Sequence, residues 1–278
     1  MNQKIVDQII IQALNEDIPY KDVTSDNLLD DNIQGKAIMR AKASGVVAGL
    51  KIAKRVFEIM DERLSVKLLI EDGQKVGFGD ELMIIKGSAR SILKAERVSL
   101  NLLQRMSGVA TMANHYADLV KDYDVRIVDT RKTTPGLRIL EKYAVQTGGC
   151  YNHRYNLSDA VMIKDNHIEV GGGITASVKK IRRQIPHTMK IEVEVQNLVQ
   201  LKEAIDVGAD IVMLDNMDNA TMKEAVEVND GRTILEASGG ITEERLVSIA
   251  ETGVDVISVG ALTHSVKALD ISLLIEFI

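Results

Sequence analysis

Apolar side chains recur at helical spacing from the start of the chain. Ile5, Ile9 and Ala13, with Ile10 and Leu14 beside them, predict an opening helix that Pro19 terminates. The polar run DVTSDNLLD then reads as a loop, and Gln34 to Leu50 alternates loosely around Gly45 and Gly49, which predicts short strands and a tight turn. Lys51 to Met60 predicts a short helix. Ser65 to Ile70 and Glu81 to Ile85 are expected strands, separated by the glycine- and acid-containing turn region EDGQKVGFGD. A helical pattern runs from Ala89 to about Asn101 and on toward Val120, with an interruption expected at Ser107-Gly108; Leu93, Val98, Leu100, Leu102 and Leu103 supply its apolar faces. Glu96-Arg97, on that otherwise apolar surface, reads as a solvent-facing ion pair. This part of the chain is a mixed α+β unit without regular alternation.

From Val125 the pattern changes to strands alternating with helices. Expected strands are Arg126–Asp129, Ala160–Lys164, Lys190–Val195, Asp210–Leu214, Thr233–Ala237 and Val254–Val259. Between most of them lie amphipathic helices: Leu137–Thr147, Ile174–Gln184, Leu198–Val207 and Thr242–Glu251, closed by Gly148-Gly149, Pro186, Gly208 and Gly253. Short apolar runs are what parallel strands covered on both faces require. Six such units predict a (β/α) barrel short of eight strands.

In such a barrel the C-terminal strand ends converge on one mouth. Here those ends carry Thr130-Arg131-Lys132, Lys164-Asp165, Glu194, Asp215, Ser238-Gly239-Gly240 and Gly260-Ala261. Charge makes the set informative, because Ile127 to His167 packs Arg131, Lys132, Arg138, Lys142, His153, Arg154, Lys164 and His167 into a chain of net charge -6. Clustered cations repel and lose hydration unless an anion neutralises them. Arg138 and Lys142, beside Glu141, fit solvated helix faces equally well. Arg131, Lys132, Lys164, His153 and Arg154 could grip carboxylates, while Glu194 and Asp215 offer oxygen ligands to a hydrated Mg²⁺. Glu192 points the same way as Glu194, so spacing does not separate them. The SGG and GAL segments fit phosphate binding through bare backbone N–H groups, or tight turns alone. Together these features point to transfer of a phosphorylated group onto a small polycarboxylate; no phosphate-loop or dinucleotide fingerprint is present.

Composition narrows the setting. The chain has 278 residues, 45% hydrophobic and 27% charged, enough for one large α/β domain and a companion. The acidic balance speaks against a nucleic-acid partner, no apolar run reaches a membrane span, and the single cysteine, Cys150, excludes an internal disulfide. The N-terminus lacks a small-residue cleavage site, so a cytoplasmic protein is expected.

The segments ERVSLNLLQRMSGVAT, DTRKTTPGLRILEKYAV, GGCYNHRYNLSDAVMIKDNHI, EVEV, LDN, EASGGI and SVGALTHS, with the early LNEDIPYKDVTSD, resemble the quinolinate phosphoribosyltransferases over nearly the whole chain. That resemblance implies a type II phosphoribosyltransferase: an N-terminal α/β sandwich domain over residues 1–110 joined to an incomplete (β/α) barrel over 111–265, with a C-terminal helix over 266–278 packed back on the first domain. It implies a homodimer whose active sites are shared, Arg97 reaching the partner's substrate, and quinolinate and phosphoribosyl pyrophosphate (PRPP) as substrates with Mg²⁺. By the same resemblance, Arg97, Thr130, Arg131, His153, Arg154 and Lys164 bind quinolinate. Lys132, Glu194 and Asp215, with Ser238, Gly239, Gly240, Gly260, Ala261 and His264, serve PRPP. Lys132, Lys164, Glu194 and Asp215 are the expected catalytic set. Cys150 stands where a third glycine is usual, and Asn156 where HRxGL has glycine; asparagine tolerates a left-handed backbone better than most residues. The alternatives are a nicotinate-using or molybdenum-associated ModD-like phosphoribosyltransferase and, more distantly, a Schiff-base aldolase using Lys132 or Lys164.

Overall fold

The computed structural model describes residues 1–30 and 32–277. In chain order its elements are α1 (Gln3–Asp17), α2 (Ser25–Leu28), β1 (Gln34–Ala41), β2 (Gly45–Val46), α3 (Leu50–Met60), β3 (Ser65–Leu68), β4 (Lys75–Val76), β5 (Glu81–Ser88) and α4 (Ala89–Leu119). Then come β6 (Arg126–Val128), α5 (Arg138–Thr147), β7 (Val161–Ile163), α6 (Asp165–Gly171), α7 (Ile174–Arg182), β8 (Ile191–Val195), α8 (Leu198–Asp206) and β9 (Ile211–Asp215). The chain finishes with α9 (Asn219–Asn229), β10 (Ile234–Ser238), α10 (Glu243–Ala250), β11 (Val256–Ser258), α11 (Ala261–His264) and β12 (Ile271–Phe277). It divides into two compact units: residues 1–114, 133–149 and 262–278 in the first, 115–132 and 150–261 in the second.

The first unit is built on an antiparallel sheet of order β12-β1-β5-β3. β12 corrects the expected C-terminal helix over 266–278. Ile271 and Leu273 are buried while Ser272 and Leu274 between them are more open, a period of two, and Ala41 pairs with Ile271 through to Gly35 with Phe277. β1 needs hydrogen-bond partners on this side, which a strand supplies and a helix does not. The barrel boundary also shifts, since 133–149, carrying α5, joins the first unit. Glu141 and Lys142 on α5 are fully buried, so the solvated-face reading fails for Lys142. The polar run after α1 holds the short α2, whose start is secured by Asp22 accepting the amides of Thr24 and Ser25 at 2.9 and 3.0 Å. In α1 the buried stripe is Val6, Ile10 and Leu14, and Ile5 lies outside it.

α4 runs unbroken through Ser107-Gly108. The small residues there serve close approach. A Cβ on Gly108 would overlap the Lys267 carbonyl oxygen, and the Ser107 hydroxyl takes the Ala48 amide at 3.1 Å.

The second unit is a parallel sheet of order β6-β11-β10-β9-β8-β7, an incomplete α/β barrel of six strands, and Tyr151 adds one parallel bridge to Val128 of β6. Val193, Val195, Val212, Leu214, Leu235, Ala237 and Ile257 are fully or almost fully buried, as strands sandwiched on both faces must be. Asn197 and Asp218 cap α8 and α9 by accepting amides of the first turn. Two helices carry no strong apolar period: α6 buries none of its residues, and α9 buries only Met222, Ala225 and Asn229.

Candidate active site

The C-terminal ends of the six parallel strands surround a cavity of about 560 Å³. Thr130, Arg131 and Lys132 enter it where β6 ends, the Thr130 hydroxyl accepting the Lys132 amide at 3.0 Å. Lys164 follows β7, Glu194 lies on β8, and Asp215 and Ser238 end β9 and β10, with Gly239 and Gly240 just beyond. His153 and Arg154 come from the segment after the Tyr151 bridge. Their place is set by Asp129, fully buried, whose carboxylate accepts the His153 amide at 2.8 Å.

The acids form two layers because residues two apart on a strand face the same side. In the outer layer Lys164 Nζ lies 2.5 Å from Glu194 Oε2, and the Asn216 amide donates to Asp215 at 2.9 Å. In the inner layer Glu192 and Glu236, 2% and 3% exposed, bring carboxylate oxygens to 3.2 and 3.4 Å from His153 Nε2. Burial alone disfavours a charged imidazole here. The hydrogen bonds and charges of the two glutamates overcome it and raise His153 to about 10. Burial also pushes Glu192 up, with the Glu236 charge adding and His153 opposing. The Arg154 amide donates to His153 Nδ1 at 2.7 Å, which puts the ring hydrogen on Nε2, between the carboxylates.

These three side chains bring ligand atoms within 4.8 Å of one another, the spacing of a metal site. A metal at Nε2 would require the hydrogen on Nδ1, where the Arg154 amide already points. The inner layer is thus poorly suited to a metal. The outer carboxylates, Glu194 and Asp215, carry no such obstacle and suit a hydrated divalent cation.

Arg154 reaches the Ala160 carbonyl at 2.9 Å, and burial followed by the nearby Arg131 charge disfavours its charged form. Two crowded guanidiniums above a buried acid pair make a receptor for an anion.

Of the residues expected at the site, eleven line this cavity: Thr130, Arg131, Lys132, His153, Arg154, Lys164, Glu194, Asp215, Ser238, Gly239 and Gly240. Gly260 and Ala261 follow β11 and are not among its lining residues. Arg97 and His264 belong to the first unit, where both are exposed. Sequence reasoning passed over Glu236, Asn216, Ser258, Met162 and Met213, which also line the cavity. Parity could have found Glu236, two residues before Ser238 on β10. Asn216 has φ 54, and Gly239 opposite it cannot carry a Cβ without striking its amide.

Both departures from the motif are accommodated in ordinary local structure. Asn156 does not take the left-handed conformation; its side chain accepts the Ser158 amide at 2.8 Å in an ordinary turn. Cys150 is buried, and that burial, with the Asp129 charge, pushes its thiol up to about 12.

Comparison with known proteins agrees with this geometry. Residues 109–274 match the family described as quinolinate phosphoribosyl transferase, C-terminal domain, and 22–107 match its N-terminal domain. A probable carboxylating nicotinate-nucleotide pyrophosphorylase of Bacillus subtilis is 44% identical over 98% of this chain and 94% of its own. A quinolinate phosphoribosyltransferase [decarboxylating] 2b of Nicotiana tabacum is 40% identical over 97% of this chain and 82% of its own. The solved nicotinate-nucleotide pyrophosphorylase of Francisella tularensis superposes with a TM-score of 0.95 at 41% identity, covering 99% of this chain and 98% of that one.

Proposed function

This chain belongs to the quinolinate phosphoribosyltransferase family, and from that premise we propose that it transfers the phosphoribosyl group of PRPP to quinolinate, giving nicotinate mononucleotide, CO₂ and pyrophosphate in NAD biosynthesis. The observation that carries the reading is a single cavity in which Arg131, Arg154 and Lys164 stand beside Glu194 and Asp215. A dicarboxylate needs the first set, and a metal-bound diphosphate the second.

In this reading Arg131, Arg154 and Lys164, with Thr130, hold the two carboxylates of quinolinate. His153 supports them from below, since both its ring nitrogens face protein partners. Lys132 and the Ser238-Gly239-Gly240 turn take PRPP; Gly260, Ala261 and His264 are assigned to its 5′-phosphate by family resemblance alone. Glu194 and Asp215 would hold Mg²⁺, which neutralises the pyrophosphate as it leaves. The pyridine nitrogen attacks ribose C1′ as the bond to pyrophosphate breaks. The carboxylate next to that nitrogen then departs as CO₂, leaving its electron pair on carbon 2, which takes up a proton. Nearby cations and the pyridinium stabilise that electron pair.

The same reading includes a homodimer in which Arg97 serves the partner's site, acting in the cytoplasm, where charged phosphoribosyl donors are retained. Among the described residues no helix is long and apolar enough to cross a membrane.

The test is product formation from PRPP and Mg²⁺ with quinolinate, in parallel with nicotinate, scoring mononucleotide and CO₂. Equal amounts of both from quinolinate alone are expected; product from nicotinate alone would refute the carboxylating assignment. Mixing an Arg97→Ala subunit with a Lys132→Ala subunit should restore part of the activity, because hybrid dimers regain one intact site.

A further inference from the structure

Residues 263–266 are held by a charged hub on α4 and α5. Arg105 donates through Nε and Nη2 to Glu141 Oε1 at 3.0 and 2.8 Å, and through Nη2 to the Thr263 carbonyl at 2.5 Å. Weaker bonds reach the Val266 carbonyl at 3.5 Å and the Thr134 hydroxyl at 3.3 Å. Glu141, fully buried, uses its other oxygen to accept the Thr134 amide at 3.0 Å. The Thr263 carbonyl is one of the orphan acceptors in the last turn of α11, so the guanidinium caps that short helix. Thr263 and Val266 bracket His264, which is exposed and has its Nδ1 2.7 Å from the Ser265 hydroxyl.

We infer that Arg105 and Glu141 are positioning residues for PRPP: the Arg105 guanidinium fixes the backbone on both sides of His264, and Glu141 fixes the guanidinium while pinning Thr134, two residues after Lys132. The inference rests on the assignment of His264 and Lys132 to PRPP. Its physical basis is that one guanidinium spends its donors on two segments distant in sequence, 134–141 and 263–266, and a planar fork anchored by a buried carboxylate cannot shift to follow either of them. Lysine in that place offers a point charge and cannot reach the same set of acceptors.

The experiment is steady-state kinetics of the full-length enzyme with PRPP and quinolinate varied in turn, for Arg105→Lys, Glu141→Gln and His264→Ala, with thermal melting of each to verify folding. Arg105→Lys should raise the KM for PRPP about tenfold, the worth of one charged hydrogen bond, and leave that for quinolinate within about twofold. Glu141→Gln keeps one acceptor oxygen, enough for the Thr134 amide, and turns the other into an NH₂ donor that cannot accept from Arg105, so the guanidinium loses its anchor while the side-chain size is kept. It should raise the PRPP KM to a similar extent, and it carries the test if Arg105→Lys melts early. An unchanged PRPP KM in both variants, or equal rises for both substrates, would overturn the inference while His264→Ala still raises the PRPP KM. If His264→Ala itself leaves that KM unmoved, the assignment of His264 to phosphate fails, and the inference fails with it.

Discussion

Glu192 and Glu194 leave the same strand on the same side, two residues apart, and meet different surroundings. Glu194 is at the mouth, in contact with Lys164 and open to a ligand. Glu192 is one layer down, closed off, and meets Glu236 and His153. At the mouth the carboxylate borders the cavity and meets the more exposed Lys164 ammonium. Below, the same group is cut off from water and has the His153 ring as its counterpart. Depth along a barrel axis, more than residue type, decides whether an acid serves the ligand or the scaffold.

The contrast can be broken from either side. Lys164→Ala should remove most activity, by about 10²- to 10³-fold, while the melting temperature stays near that of the parent, because the lysine is half-exposed and its ion pair adds little to stability; assay and melting curve on one preparation check both halves. Arg131→Ala is expected to behave in the same way. Glu236→Ala should do the reverse, costing about 3 kcal/mol of stability by stripping His153 of a buried partner, as denaturant unfolding would measure. The inner cluster also binds its proton more tightly when folded, since His153 is raised to about 10 from an ordinary 6.5. Its contribution to stability is therefore complete below about pH 6.5 and is lost as pH climbs toward 10, with a slope of up to ~1.4 kcal/mol per pH unit. Unfolding midpoints from pH 6 to 10 should show that slope, flattened in His153→Gln. The smallest effect belongs to the opposite end of the strands. There Asp210 accepts Arg182 at 2.7 Å and the Ile191 amide at 2.8 Å, and Asp210→Asn should cost about 1 kcal/mol or less without changing activity.

Much of the second unit was readable because its signals are local. Buried parallel strands make short apolar runs, and glycines such as Gly208 and Gly253, both at positive φ, mark where helices stop. The polar strand ends could be gathered into one mouth because a single topological rule brings them together. What escaped reading depends on partners far along the chain. The strand Ile271–Phe277 is short and apolar enough to pass for a helix until β1 is seen beside it. Gly108 looks like a helix breaker until the Lys267 carbonyl is found against it. α6 buries nothing, so it has no apolar period to detect, and its first residues read as chemistry alone. Lys142 resembles a solvated lysine in sequence and is wholly buried. Asn156 shows the opposite failure: a motif position expected to need a left-handed backbone is filled by a residue in an ordinary turn.

The pairing of β12 with β1 also bears on how the chain is made. As the protein leaves the ribosome, β1 and its neighbour β5 emerge well before β12, the strand that covers the other edge of β1. All six strands of the barrel unit emerge in between. A nascent chain must therefore keep an unpaired strand edge away from its neighbours while the whole barrel unit is being made, an interval in which that edge is open to association with other strands.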